Sequence, residues 1–228
     1  MSPIQANLQH VQARIGAAIF ALPVTQRRPV CLVAVSKTQP AEAIRTAYTA
    51  GQRCFGENYV QEALDKIEKL CDLDIEWHFI GPIQSNKAKS IARHFAWVHG
   101  LDRVKIADAL ARARPEGIPP LNVCIQVNVS GEASKCGIAP DDALPLARYT
   151  LGLPRLRLRG LMTIIENNPD ISIQRQQFGL LRHLAEQMEA HGISLDTLSM
   201  GMSGDFETAI SEGANMIRIG AAIFGERA

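Results

Sequence analysis

The chain has 228 residues, 46% hydrophobic and 21% charged, the profile of a water-soluble folded protein with room for one sizeable α/β core. Twenty-four Lys and Arg against 23 Asp and Glu leave a net charge of +1, which argues against nucleic-acid binding by bulk electrostatics, and no apolar run approaches the ~18 residues of a membrane span. The five cysteines are scattered without the short paired spacing of a zinc motif, and the first residues lack the basic and apolar regions of a secretory signal, so a reduced, cytoplasmic protein without a metal is expected.

Ile4, Leu8, Val11, Ile15, Ile19 and Leu22 fall three or four apart and predict an amphipathic helix ending before Pro23. Residues 30–37 read as the first strand. Six successive apolar residues, Val30 to Val35, suit a parallel strand covered on both faces, which has no solvent side to alternate toward. Lys37 then stands at the carboxyl end, where barrels and open α/β sheets bind ligands. An amine there, backed by a dry strand, sheds its proton more readily than a surface lysine and can attack a carbonyl; a plain surface lysine is the competing reading. Thr38 and Pro40 suit the start of a helix over 41–50, which Gly51 stops.

The same alternation repeats along the chain. Further strands are predicted over 54–56, 75–81, 95–99, 121–128, 158–164, 197–200 and 215–220. Helical patterns cover 57–70, 85–94, 103–114, a stretch opened by Pro140, 173–190 and a stretch ending at Glu212, with 221–227 closing the chain. On 57–70 the apolar face is Val60, Ala63, Leu64, Ile67 and Leu70. Eight strand-then-helix units without a linker predict one (β/α)8 TIM barrel, a single domain over 1–228 with an extra N-terminal helix. An open doubly wound sheet is the alternative, and the first strand lacks the glycine-rich fingerprint that would favour it.

The loop Met200-Gly201-Met202-Ser203-Gly204-Asp205 combines two glycines, a hydroxyl and a helix start. Glycines let backbone amides approach an anion, and a helix N-terminus adds a positive dipole end. Such a turn alone is more often an ordinary capped one. Paired with the Arg218-Ile219-Gly220 exit of the eighth strand, it occupies the position where barrels bind phosphate. The first and eighth strands of a closed barrel are neighbours, so Lys37 and this cradle can face one ligand, a phosphorylated aldehyde or ketone. Pyridoxal 5'-phosphate fits, and so does a sugar phosphate in a lysine-dependent aldolase.

Val35-Ser36-Lys37-Thr38, the segment from Phe55 to Glu62, the segment from Trp77 to Lys87, Leu161-Met162-Thr163, the segment from Leu198 to Asp205 and Ile217-Arg218-Ile219-Gly220 together resemble the pyridoxal phosphate homeostasis protein family. That family is related in fold to the barrel domain of alanine racemase, the fold type III of pyridoxal phosphate proteins. The resemblance implies a covalent aldimine between Lys37 and pyridoxal 5'-phosphate, with Ser203, Gly204 and Gly220 around the phosphate. It places Arg218 near the pyridine nitrogen, where a permanent cation keeps that nitrogen unprotonated and weakens the ring as an electron sink. Asn58 and Met200 are expected around the ring.

The match departs at Lys135-Cys136-Gly137, where the family more often has Lys-Ser-Gly; Lys135 is a candidate second amine for handing on the cofactor, against the plainer reading of a solvated loop lysine. A racemase of this fold needs a second base, a tyrosine from a partner's β domain. Tyr48, Tyr59 and Tyr149 all fall in predicted helices, away from the strand ends. The resemblance therefore implies a non-catalytic carrier or buffer that is monomeric and passes cofactor to apo-enzymes, with a racemase or other Schiff-base enzyme as the alternative. His78, Trp77 and Trp97 are expected in the core, and His94 and His99 show no partners at ligand spacing.

Overall fold

A computed structural model describes residues 2–132 and 135–225. Residues 133–134, just before Lys135, and residues 226–228, where the predicted closing stretch ends, lie outside them. The chain opens with α1 (Pro3–Phe20), whose start is fixed by a capping box: Ser2 accepts from the Gln5 amide, the Gln5 side chain accepts from the Ser2 amide, and Pro3 occupies the first turn. Leu8, Val11 and Ile15 form its buried stripe.

Eight strand-helix units follow. They are β1 (Cys31–Val35) with α2 (Ala41–Thr49), β2 (Cys54–Glu57) with α3 (Val60–Lys69), β3 (Glu76–Phe79) with α4 (Ala88–His94), and β4 (Trp97–Leu101) with α5 (Val104–Ala113). The second half is β5 (Leu121–Gln126) with α6 (Ala143–Leu151), β6 (Leu156–Met162) with α7 (Ile171–Ala190), β7 (Thr197–Ser199) with α8 (Phe206–Ser211), and β8 (Met216–Ile219) with α9 (Ala221–Phe224). All strands pair in parallel, each with the next, and β8 returns to β1 with Cys31 opposite Met216 and Ala34 opposite Ile219, closing the predicted barrel.

Alternation along each strand makes two cores. Leu32 and Ala34 of β1, Phe55 of β2, Phe79 of β3 and Ile217 of β8 face the helices, in an apolar layer that also buries Phe95, Phe178 and Phe206. Val33, Trp97, Cys124, Met162 and Met216 fill the interior, joined by Cys31 and Cys54. That interior is unusually polar, because the alternating positions on β3, β4 and β8 also bring in His78, His99 and Arg218, all buried. Gly160 permits β6 and β7 to meet: a β-carbon there would come 1.7 Å from the Thr197 carbonyl oxygen, which no side chain allows.

Candidate functional site

β1 ends at Val35, two residues before the predicted limit, so Ser36 and Lys37 belong to the β1–α2 loop. The Ser36 amide still donates to the Gly56 carbonyl at 3.0 Å, which carries the ladder one step past the strand and delivers Lys37 to the carboxyl-end rim. A buried ion cluster underlies it. Lys66 Nζ on α3 donates to the Ser36 carbonyl at 2.7 Å, to Glu57 Oε1 at 2.8 Å and to Glu62 Oε1 at 2.5 Å. The Ser36 hydroxyl donates to the same Glu57 oxygen at 2.6 Å, and the Thr38 amide donates to Glu62 Oε1 at 2.6 Å. Residues on both sides of Lys37 are thus tied to one cluster.

Thr38 has a φ of 64°, the left-handed region that costs an ordinary L-residue ~1–2 kcal/mol and is a clear outlier for a β-branched one. Its hydroxyl donates to the Lys37 carbonyl at 2.6 Å. Burial pushes the Glu57 carboxyl above its ordinary range, against the pull of the Lys66 ammonium and the Ser36 hydroxyl. Removing either partner would leave a costly buried charge.

Across the mouth, Gly220 follows β8. Val35, Lys37, Thr38, Gly220 and Ala221 share a cavity of 80 Å³, which brings together the predicted amine and one edge of the predicted cradle. A β-carbon on Gly220 would stand 3.2 Å from the Val35 carbonyl oxygen and crowd that space. In the β7–α8 loop, Met202 N donates to Asp205 Oδ1 at 2.5 Å and Asp205 N returns a bond to the Met202 carbonyl at 3.2 Å. The Ser203 and Gly204 amides at the turn's tip meet no acceptor among the described residues. α8 is six residues long, too short to supply much dipole, so the loop's pull on an anion rests on these amides rather than on the helix end invoked from sequence.

Arg218 lies below the mouth inside the barrel. Its Nη1 donates to Ser199 Oγ at 2.7 Å and its Nη2 to the Thr163 carbonyl at 2.8 Å, and burial pushes its pKa down to about 10. Ser199 Oγ meets His99 Nδ1 at 2.8 Å, His99 Nε2 meets His78 Nδ1 at 2.9 Å, and His78 Nε2 meets Glu76 Oε1 at 3.1 Å. Arginine has no acceptor, so Ser199 accepts from it and turns its own proton to His99. Burial above all, with the charges of His78 and Arg218, pushes His99 well below its ordinary pKa, so His99 is neutral and has one donor and one acceptor nitrogen to share between Ser199 and His78. With His78 neutral the bonds run one way, from Arg218 to Glu76; a charged His78 donates at both nitrogens and turns the His78–His99 and His99–Ser199 bonds around.

The remaining predicted residues are more dispersed. Asn58 lines a separate cavity of 440 Å³ with Tyr59, Phe79, Gln84 and Lys87. Met200 is fully buried in the layer facing the helices, so its side chain anchors the loop instead of lining the mouth. Tyr59 is corrected: it precedes α3 on the β2–α3 rim and is 58% exposed, whereas Tyr48 lies within α2 and Tyr149 within α6. His78 is a buried, bonded core residue as expected, but His99 does have partners. A larger cavity of 590 Å³, lined by Arg27, Arg28, Arg182 and Glu212, sits beside the entries to β1 and β8, away from the mouth.

The Lys66 cluster escaped the sequence reading. Lys66 falls three residues after Ala63 and six after Val60, on the stripe that α3 buries, and this spacing was the available signal.

The model of the family described as "Alanine racemase, N-terminal domain" matches residues 3–228. The pyridoxal phosphate homeostasis protein of Pseudomonas aeruginosa is 56% identical over 230 residues, covering all of this chain and 97% of its own length, and that of Escherichia coli K12 is 48% identical. Among solved structures, PipY of Synechococcus elongatus with PLP bound superposes with a TM-score of 0.84 at 38% identity, over 97% of this chain and 100% of that one. An alanine racemase of Clostridium difficile, at 10% identity and a TM-score of 0.77, shares the fold over 96% of this chain and 57% of its own. With a relative this similar along its whole length, the chain belongs to the pyridoxal phosphate homeostasis protein family, within the wider family of alanine racemase N-terminal domains.

Proposed function

We propose that the chain binds pyridoxal 5'-phosphate at the carboxyl-end mouth, with the Lys37 amine bonded to the cofactor's aldehyde carbon, and that it carries or buffers the cofactor as one barrel domain over 1–228. The observation that carries this reading is the shared cavity of Lys37 and Gly220, made possible by the pairing of β1 with β8. The residues present suit the group. Pyridoxal phosphate supplies an electrophilic aldehyde and a dianionic phosphate, and the mouth offers an amine for the first and the Ser203 and Gly204 amides for the second. Asn58, expected beside the ring, has a buried Oδ1 without a partner among the described residues, but in the separate cavity that it shares with Tyr59. Arg218 holds a permanent cation beneath the mouth, and Lys66, Glu57 and Glu62 fix the backbone on either side of Lys37.

A carrier needs an exchangeable cofactor, and loops of this kind at an open barrel mouth suit release. We place it in the cytoplasm as a monomer that hands cofactor to apo-enzymes, with Lys135 a candidate for the transfer. The racemase reading has one observation in its favour, the exposed Tyr59 phenol on the rim, but that phenol belongs to the Asn58 cavity and not to the cavity of Lys37.

The test is a titration of the purified protein with pyridoxal phosphate, followed by absorbance. Wild type is expected to develop the band of lysine-bound cofactor and to trap it on Lys37 after borohydride reduction. Lys37→Ala is expected to lose the band while keeping its circular dichroism. A wild type without the band would end the proposal, and interconversion of L- and D-alanine at enzyme-like rates would replace carrier with racemase.

A further inference from the structure

The end of the barrel opposite the mouth carries a cluster that the cofactor site does not use. Cys31 opens β1, Cys54 opens β2, and Glu76 and His78 lie two apart on β3, so the register sets Cys54 beside Glu76 and directs all four side chains inward. Cys31 Sγ is 3.8 Å from Cys54 Sγ, Cys54 Sγ is 3.5 Å from Glu76 Oε1, and Glu76 Oε1 is 3.1 Å from His78 Nε2. The donor atoms of Cys54, Glu76 and His78 all lie within 4.8 Å of one another.

The lengths within the Cys54, Glu76 and His78 group are close to the edges of a metal polyhedron. Around a tetrahedral zinc ion, with Zn–S about 2.3 Å and Zn–N or Zn–O about 2.0–2.1 Å, sulfur and oxygen stand about 3.5 Å apart, and nitrogen and oxygen about 3.3 Å. We infer that Cys54, Glu76 and His78 form a three-residue binding site for a thiophilic divalent cation of the zinc type at the strand-entry end of the barrel, with Cys31 beside Cys54. One thiolate, one carboxylate and a neutral imidazole balance the charge of a divalent cation and leave a fourth position to water, a set that suits Zn²⁺ better than Mg²⁺ or Ca²⁺.

The surroundings are built for such a ligand. The His78 ring stacks on Trp97 at 5.5 Å with 7° between planes, so its direction is fixed by packing. Its other nitrogen meets His99, as the second nitrogen of a metal-bound histidine regularly meets a fixed partner. Glu76, with 45% of its side chain exposed, and the two half-buried cysteines give an ion its way in. Metal on His78 Nε2 moves the ring proton to Nδ1, so His78 donates to His99, and His99 then donates from Nδ1 to Ser199. The bond direction described above reverses as far as Ser199, which Arg218 also contacts.

The experiment uses the full chain under a phosphine reductant, with the exposed Cys71 and Cys136 changed to Ser so that they cannot compete. After chelation and desalting, Co²⁺ is titrated in and followed by absorbance, then displaced with Zn²⁺. One Co²⁺ per chain is expected, with intense tetrahedral visible bands and a thiolate charge-transfer band, all abolished by Cys54→Ser. His99→Asn, which removes the supporting contact together with the bond to Ser199 but no metal ligand, should weaken binding about 10- to 100-fold. If Cys54→Ser fails to fold, the half-exposed Glu76→Gln replaces it and must alter the visible bands. Absence of the charge-transfer band, or a Co²⁺ spectrum unchanged in these variants, overturns the site.

Discussion

At the mouth, the groups proposed to bear chemistry, Lys37, Ser203, Gly204 and Gly220, sit on loops; at the opposite end, Cys31, Cys54, Glu76 and His78 sit on the strands themselves. Strand register holds the second set in place without further help. Of the first set, Lys37 receives support through its neighbours Ser36 and Thr38 from the buried Lys66 and Glu57 and the half-buried Glu62. Loop-borne groups can move to admit and release a cofactor, whereas strand-borne ones are positioned for a ligand that stays. The Arg218–Ser199–His99–His78 chain joins the two ends through the barrel's polar interior.

The sharpest way to break this contrast is to remove the support beneath the mouth. Lys66→Met leaves Glu57 buried beside no cation, and such a loss costs about 3–5 kcal/mol. The pH dependence has a definite sign. Burial already raises the Glu57 carboxyl, and without Lys66 it rises further above its unfolded value. Between those two values the folded state binds more protons than the unfolded one, so stability falls as pH rises through that window. Urea midpoints of Lys66→Met should therefore lie far below wild type at neutral pH and recover toward the carboxylate range. Adding Glu57→Gln should restore much of the loss, and a single variant with a wild-type midpoint would show that the cluster is not the support.

A smaller effect is expected at the link between the ends. Ser199→Ala leaves the Arg218 Nη1 donor and His99 Nδ1 without their shared partner, a loss of about 1–3 kcal/mol. Both residues are buried, so water does not replace the hydroxyl. If the chain couples the ends, this variant also changes cofactor affinity in the absorbance titration; a change in stability alone would leave the ends independent.

The strand-helix alternation and the apolar strands made the barrel readable before any coordinates, and chain closure then predicted that Lys37 and Gly220 would meet. Side chains whose meaning depends on register were harder to read. His78 reads as a core residue and Glu76 carries no signal of its own, and Cys54 becomes their neighbour only because it lies opposite Glu76. Lys66 gave no sign of its role because its partners Glu57 and Ser36 arrive from other elements. Tyr59 was misplaced because the helix expected from Glu57 begins at Val60.

The finest distinction concerns Thr38, whose left-handed backbone no composition would announce in a β-branched residue. Asn enters that region more easily, so Thr38→Asn should recover part of the ~1–2 kcal/mol of strain and stabilise the fold by roughly 0.5–1 kcal/mol, read from thermal midpoints. The hydroxyl bond to the Lys37 carbonyl is lost, which caps the gain. Glu62 still holds the residue-38 amide and Lys66 still holds the Ser36 carbonyl, so cofactor affinity should stay within about twofold of wild type, against a tenfold change for 1.4 kcal/mol. A larger drop in affinity, with stability raised, would mean that the left-handed turn itself aims Lys37. The mouth would then resemble the opposite end after all, its key group set by backbone geometry rather than by the ion cluster beneath it.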